Sequence, residues 1–244
     1  MEKLLVNEKI QNNYDEYYKN GASQWRWLGA LDKADNIVTL SHHLSIRSLI
    51  EIGAGEGAIL KRLSDLNFCK EMYALEISST GVETIINRQI PRLVECALFD
   101  GYNVPYENLK FDLAILSHVI EHVEYPRKLL YEAKRVAKYV IVEVPCEDNP
   151  RLKQDFTFDK VGHINSYSPK TIRRLIQSCN FKVLKQITVN PRKEVYIYEK
   201  GKKGLINYYI KKFFLIFSPL LATNIFTYHT ALICQDDSQH RVNK

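Results

Sequence analysis

The stretch SLIEIGAGEGAIL, residues 48–60, decides how this chain is read. Leu49, Ile50 and Ile52 form a short apolar run with the spacing of a buried strand. Gly53, Gly55 and Gly57 then remove the side chain at alternate positions where the backbone should turn, and Ala58 to Leu63 resume at helical spacing. Glycines at such a turn let the backbone approach a ligand or let a helix pack tightly on a strand. Taken alone, the turn suits a dinucleotide, a nucleoside or merely the neighbouring helix.

The pattern repeats outward from it. Apolar runs predict strands at 47–52, 71–76, 92–98, 111–116 and 138–144, with helical segments at 55–66, 79–88 and 126–136. Strands without polar alternation, each followed by a helix, predict an α/β fold whose parallel sheet is covered on both faces. In such sheets the ligand lies at the carboxyl ends of the strands. Upstream, Tyr14, Tyr17, Tyr18, Trp25 and Trp27 recur at helical intervals, which predicts two helices forming a lid over residues 1–46. Downstream, 168–181 reads as a helix and 181–189 and 226–235 as strands, a hairpin interrupted by a long insertion. The organisation expected is a lid (1–46), a core (47–190), an insertion (191–225) and a last strand with its tail (226–244). The insertion, whose apolar course is broken by Lys211 and Lys212, reads as a substrate cap, a homodimer contact or an interfacial helix.

Composition narrows the classes. The chain has 244 residues, 45% hydrophobic and 25% charged, enough for one large domain with a real core. The net charge of +6 is dispersed among 28 acids, which argues against nucleic acid as a partner. Cys69, Cys96, Cys146, Cys179 and Cys234 are odd in number and widely spaced, as expected of reduced thiols in a cytoplasmic protein. The polar amino terminus does not read as a signal peptide, and no transmembrane segment is expected. A weak membrane-surface contact through 204–222 remains open.

Two acids sharpen the glycine turn. Glu76 ends the second strand, 23 positions after Gly53, where a carboxylate can accept from ribose hydroxyls. Asp100 follows the third strand, where an acceptor can meet the exocyclic amine of adenine. The nicotinamide-dinucleotide fingerprint is G-x-G-x-x-G, whereas this turn is G-x-G-x-G and is preceded by Glu51. A carboxylate there repels a pyrophosphate and suits an ammonium. The ligand implied carries ribose, adenine and a cationic amino-acid end: S-adenosylmethionine.

With Glu51 to Gly57, Ala74-Leu-Glu76-Ile77, Phe99-Asp100-Gly101 and FDLAILSHVIEHVEYPRKLLYEAKRV (111–136) in this order, the chain resembles the class I S-adenosylmethionine-dependent methyltransferases over about residues 47–190. The resemblance implies a Rossmann-like seven-stranded sheet, mostly parallel, whose last strand is antiparallel. It implies that Gly53, Gly55 and Gly57 face the methionine portion, Glu76 the ribose, Ile77 the base, and Asp100 with Gly101 the adenine. Ser117 is grouped with this cofactor set, and Arg26 or Lys33 would hold the methionine carboxylate. Many relatives carry a Lys-Pro-Gly-Gly turn before the fifth strand; here RVAKYVIVEVP runs straight through.

A second constellation is Ser117-His118-Val119-Ile120-Glu121-His122, with His163 following the fifth strand. A helix beginning there would put His118 and His122 on one face beside Glu121. His118, His122 and His163 are therefore the catalytic candidates, as a general base or as orienting groups; the bland alternative is that they only satisfy local structure. A metal is a further option. However, small-RNA 2′-O-methyltransferases use Glu-x-x-Glu-His, and His118 stands at the first position here, so no metal ligand is assigned. The expected function is methyl transfer to a small-molecule acceptor, at a hydroxyl of a biosynthetic intermediate. The alternatives are a metal-assisted RNA 2′-O-methyltransferase and a non-catalytic cofactor-binding scaffold.

Overall fold

The structure, a computed structural model, describes residues 8–19, 23–156 and 162–237. Parts of the expected lid, at 1–7 and 20–22, and of the tail, at 238–244, lie outside the described residues. Apolar runs bounded by turns form seven strands: β1 (Ser48–Ile52), β2 (Glu71–Glu76), β3 (Leu93–Leu98), β4 (Phe111–Ser117), β5 (Ala137–Pro145), β6 (Phe181–Val189) and β7 (His229–Asp236). They make one sheet in the order β3-β2-β1-β4-β5-β7-β6. The first five pair in parallel, and β7 runs antiparallel to both β5 and β6. This is the Rossmann-like arrangement expected.

Because successive strand residues point to opposite faces, each central strand feeds two cores. Leu49, Met72, Leu113 and Ile141 pack with Ile37 and Leu40 of α2 (Gln24–Ser41), with Leu60 and Leu63 of α3 (Ala58–Asp65), and with Ile85 of α4 (Ser79–Asn87). Ile50, Leu75, Leu116 and Val142 pack on the other side with Leu129 and Leu130 of α5 (Pro126–Val136) and with Ile172 and Ile176 of α6 (Pro169–Ser178). Burial on both faces explains why these strands carry no polar alternation.

Two local expectations change. The helix expected from residue 117 does not form. His118 takes a left-handed φ of 57°, which a right-handed helix cannot contain, and the helix starts only at Pro126, whose ring suits a first helical turn. Likewise α3 begins at Ala58 rather than 55, because Gly55 and Gly57 have φ of 58° and 72°. The missing turn before the fifth strand is real: α5 ends at Val136 and β5 begins at Ala137.

Ahead of the sheet, α1 (Glu8–Tyr18) and α2 are the two helices read from the aromatic spacing. Between β6 and β7 the chain makes α7 (Lys193–Lys200), α8 (Lys202–Phe217) and α9 (Pro219–Ile225). Their outer surface is apolar: Ile206, Tyr209, Phe213, Ile216, Phe217 and Leu220 are each between 55% and 76% exposed. Among the described residues no helix is long and apolar enough to cross a membrane. All five cysteines are free thiols.

Candidate active site

The glycine turn is tied down by its backbone. Gly53 and Ala54 both donate to the Leu75 carbonyl, at 2.8 and 3.0 Å. Gly53 has φ of 79°, and a Cβ there would stand 2.6 Å from Val119 Cγ2; at Gly55 a Cβ would stand 2.8 Å from the Tyr18 hydroxyl. Neither position tolerates a side chain, either in conformation or in space.

Glu76 knits this turn to the end of β2. Its Oε2 accepts from Gly55 N at 2.7 Å, and its Oε1 accepts from Ile77 N and Ser78 N at 3.0 Å each. Burial pushes the carboxyl up to about 7, against the pull of those three N–H groups. Glu56, inside the glycine turn, accepts from both Arg26 and Arg88. The Arg26 guanidinium also lies over the Tyr17 and Tyr18 rings, at 4.9 and 5.4 Å. Of the two cations considered for a methionine carboxylate, Arg26 thus sits at the glycine turn. Lys33 faces Glu143, Glu121 and Glu51 instead, and burial lowers its pKa against their pull.

A helical cover closes the opening. On α1, Gln11 donates to the Ile77 carbonyl at 2.9 Å, and Asp15 accepts from Ser78 Oγ at 2.7 Å and Ser79 Oγ at 3.2 Å. Tyr14 and Tyr18 stack with centroids 6.1 Å apart and line a cavity that is partly open to solvent. Gly53, Glu76, Ile77 and Gly101 line the same cavity, and so do His118 and His122. Glu51, Gly55, Gly57, Asp100 and Ser117 do not. Asp100 accepts from the backbone N–H groups of Tyr102 and Asn103, at 3.0 and 2.7 Å, which shapes the loop carrying Gly101.

Glu51 lies fully buried beneath the turn, with Oε2 unpaired, and burial pushes its carboxyl up to about 8 while Lys33 opposes the shift. An acid whose folded pKa is raised above the unfolded value near 4.5 costs the fold nothing below that value. The cost grows as pH rises toward 8 and is complete above it. Glu51→Gln is therefore expected to raise Tm by several degrees at pH 8.5 and to leave it unchanged at pH 4.5. Thermal unfolding at the two pH values measures this, and equal shifts at both would refute it.

The histidines divide into two groups rather than sharing one helical face. The loop after β5 returns to the end of β4, as expected. Ile164 N and Asn165 N donate to the Glu121 carbonyl at 2.9 and 3.0 Å, and Asn165 Nδ2 donates to the Val123 carbonyl at 2.8 Å. This brings the rings of His122 and His163 to 4.7 Å. His122 Nδ1 lies 3.2 Å from the Gly162 carbonyl, and His163 Nδ1 lies 2.7 Å from Glu147 Oε2. His118 turns the other way, with its ring 4.6 Å from that of His229. Its pKa is held well below the usual histidine range by burial first and then by the nearby Lys33 charge. Ser117 pairs in register with Glu143 across β4 and β5, and its buried hydroxyl has no hydrogen-bond partner.

Sequence reasoning passed over Glu143, His229 and the anchoring role of Glu56, while Tyr14 and Tyr18 were placed in the lid. One signal was available: Glu143 is an acid within the otherwise apolar run KYVIVEV, and a buried charge in a central strand demands a partner.

The comparisons agree with this geometry. A family described as a methyltransferase domain matches residues 24–186. An uncharacterised protein of Methanocaldococcus jannaschii, MJ1123, is 24% identical over 194 residues, spanning 75% of this chain and 83% of that protein. Geranyl diphosphate C-methyltransferase from Streptomyces coelicolor A3(2), solved with Mg2+, geranyl-S-thiolodiphosphate and S-adenosyl-L-homocysteine, superposes with a TM-score of 0.65 at 11% identity, over 96% of this chain and 99% of that one. Phosphoethanolamine N-methyltransferase 2 of Haemonchus contortus, with phosphomonomethylethanolamine and S-adenosylhomocysteine, gives 0.64 at 13% identity, over 93% of this chain and 60% of that one. A glycine turn with a buried acid at the next strand end, on this strand order and with this match, leaves one assignment: the chain belongs to the methyltransferase-domain family, within the class I S-adenosylmethionine-dependent methyltransferases.

Proposed function

We propose that the protein methylates a hydroxyl of a small-molecule acceptor. The observation that carries this reading is the single cavity that joins Gly53 and Glu76 at one end to His118 and His122 at the other. S-adenosylmethionine supplies a methyl carbon already activated by its sulfonium. The residues present fit it: a turn that admits no side chain, a buried carboxylate at the strand end, and the apolar side of Ile77 on the cavity wall. In this reading Gly53, Gly55 and Gly57 border the methionine portion, with Glu51 as the acid behind the turn. Glu76 receives the ribose hydroxyls, and Asp100 orders the loop that presents Gly101 to the adenine.

At the other end, the Nδ1 proton of His122 goes to the Gly162 carbonyl, so Nε2 is the ring nitrogen that carries the lone pair and would accept the hydroxyl proton as the new bond forms. His163, held by Glu147, fixes the edge on which His122 packs. Tyr14 and Tyr18 cover one wall of the cavity, so alignment of the two reactants against them supplies much of the rate. The test is release of S-adenosylhomocysteine when the purified protein is given S-adenosylmethionine with separate pools of hydroxylated and amine-bearing small molecules. Turnover with the hydroxyl pool alone is expected. Turnover with amines alone, or with RNA alone, would overturn the reading.

A further inference from the structure

We propose that His118, Glu143 and His229 form a binding site for one first-row divalent transition cation of the Zn2+ kind. The three come from different elements: the turn after β4, the interior of β5 and the first position of β7. Strand register brings them together, since Glu143 is two residues from Pro145, which pairs with His229, and the His118 amide donates to the Glu143 carbonyl at 2.9 Å. One donor atom from each residue lies within 4.8 Å of the others. Glu143 Oε1 is 3.6 Å from His229 Nδ1 and 3.9 Å from His118 Nε2, beyond hydrogen-bonding reach. Ligands on a tetrahedral Zn2+ at about 2.0–2.1 Å stand roughly 3.3–3.5 Å apart. The two carboxylate–imidazole separations are thus a few tenths of an ångström wider than in such a sphere, and the whole set lies within 4.8 Å.

The unpaired atoms make the case. His118 Nε2, His229 Nδ1 and Glu143 Oε2 are all buried and without a hydrogen-bond partner, and Glu143 is wholly buried. The two imidazole nitrogens approach the same carboxylate through Oε1 while Oε2 stays unpaired, a buried acceptor set that a ligand of positive charge would satisfy. The surroundings are those of a metal site. Glu121 Oε1 lies 3.4 Å from His118 Nδ1, which favours a proton on that nitrogen although no hydrogen bond forms there, and His118 Nε2 is the nitrogen on the Glu143 side. Asn36 Nδ2 donates to Glu143 Oε1 at 3.3 Å and orients that carboxylate. Three carboxylates, Glu51, Glu121 and Glu143, meet the single ammonium of Lys33 there. Two imidazoles and one carboxylate select Zn2+, Co2+ or Fe2+ over Mg2+ or Ca2+.

A second cluster, Glu121 with His122 and His163, has comparable spacing. There Nδ1 of each ring is already engaged, by Gly162 and by Glu147, and only the Glu121 oxygens are left without a partner, so the unsatisfied set does not span all three residues. His118 also lines the cavity, so a cation held by these three residues would lie beside it. Resting on the function proposed above, that cation would bind the acceptor oxygen and ease loss of its proton.

The test needs neither cofactor nor acceptor. Chelator-stripped protein is titrated with Zn2+ by calorimetry and with Co2+ by visible absorption. One equivalent is expected to bind. His229→Ala and Glu143→Gln are each expected to weaken binding at least 100-fold, whereas His163→Ala changes it less than threefold, with circular dichroism verifying the fold of every variant. Absence of binding, wild-type binding by His229→Ala, or dependence on His163 instead would overturn the site. Because methyl transfer is measured separately, that failure would leave the function proposed above standing.

An independent observation carries a second proposal: the outer face of α8 and α9 docks on an anionic lipid surface. Exposed Ile206, Phe213 and Phe217 recur at helical spacing along α8, and exposed Leu220 follows on α9. From 200 to 235 the sequence has no acid and the cations Lys200, Lys202, Lys203 and Lys212, beside Lys211, whose ammonium turns inward to the Thr227 carbonyl. Two copies meeting on this face would repel, while acidic headgroups would attract it. Flotation with vesicles containing phosphatidylglycerol is expected to carry the protein upward. Pure phosphatidylcholine vesicles should carry little, and a Phe217→Asp, Leu220→Asp double variant none. Equal flotation of that variant, or a stable dimer by light scattering that the variant abolishes, would refute the proposal.

Discussion

Glu76→Ala is expected to cost the protein both its cofactor and much of its stability. The carboxylate accepts three backbone N–H groups, from Gly55, Ile77 and Ser78, inside a buried junction. Each donor left unpaired costs about 1–3 kcal/mol, so the loss is on the order of 3–9 kcal/mol. For a chain of this size that lowers Tm by roughly 10 °C or more. Glu76→Gln keeps one acceptor oxygen and the same shape, and is expected to recover most of the stability. Both variants lose the paired acceptors offered to a ribose, so calorimetry with S-adenosylhomocysteine should show binding at least 100-fold weaker in each. A folded Glu76→Gln protein with unchanged affinity would remove Glu76 from the cofactor site and leave only its structural role.

His122→Ala is expected to separate binding from chemistry. Positioned proton transfer contributes about 100- to 10,000-fold to a rate. The imidazole lines the cavity but stands apart from the Glu76 junction. Turnover should therefore fall at least 100-fold, with affinity for S-adenosylhomocysteine changed less than threefold. His163→Ala should have a smaller effect, because His163 holds His122 in place rather than lining the cavity. If His122→Ala turns over at the wild-type rate, the proton goes elsewhere and the assignment falls.

Much of the scaffold was legible because central parallel strands are buried on both sides and leave long apolar runs. The run EMYALE became β2 at the expected boundaries, and the glycine turn with Glu76 followed from where the polar residues stop those runs. The segment after Ser117 was not legible. Its histidines sit at helical spacing, yet Glu143 accepts the His118 amide through its carbonyl and the backbone turns left-handed, a contact made across 25 residues of sequence. His229 was read only as part of a strand. Its place beside His118 comes from the register of β7 against β5, which pairs residues more than 80 apart.

That reversal of the last strand also separates two kinds of inheritance. The region shared with the methyltransferase domain ends at 186, whereas His229 lies 43 positions beyond it. Kinship recognised through the shared region therefore says nothing about whether a homologue owns this imidazole. Sorting homologues by what stands opposite Pro145 would divide the family by chemistry even where every member holds the same nucleoside.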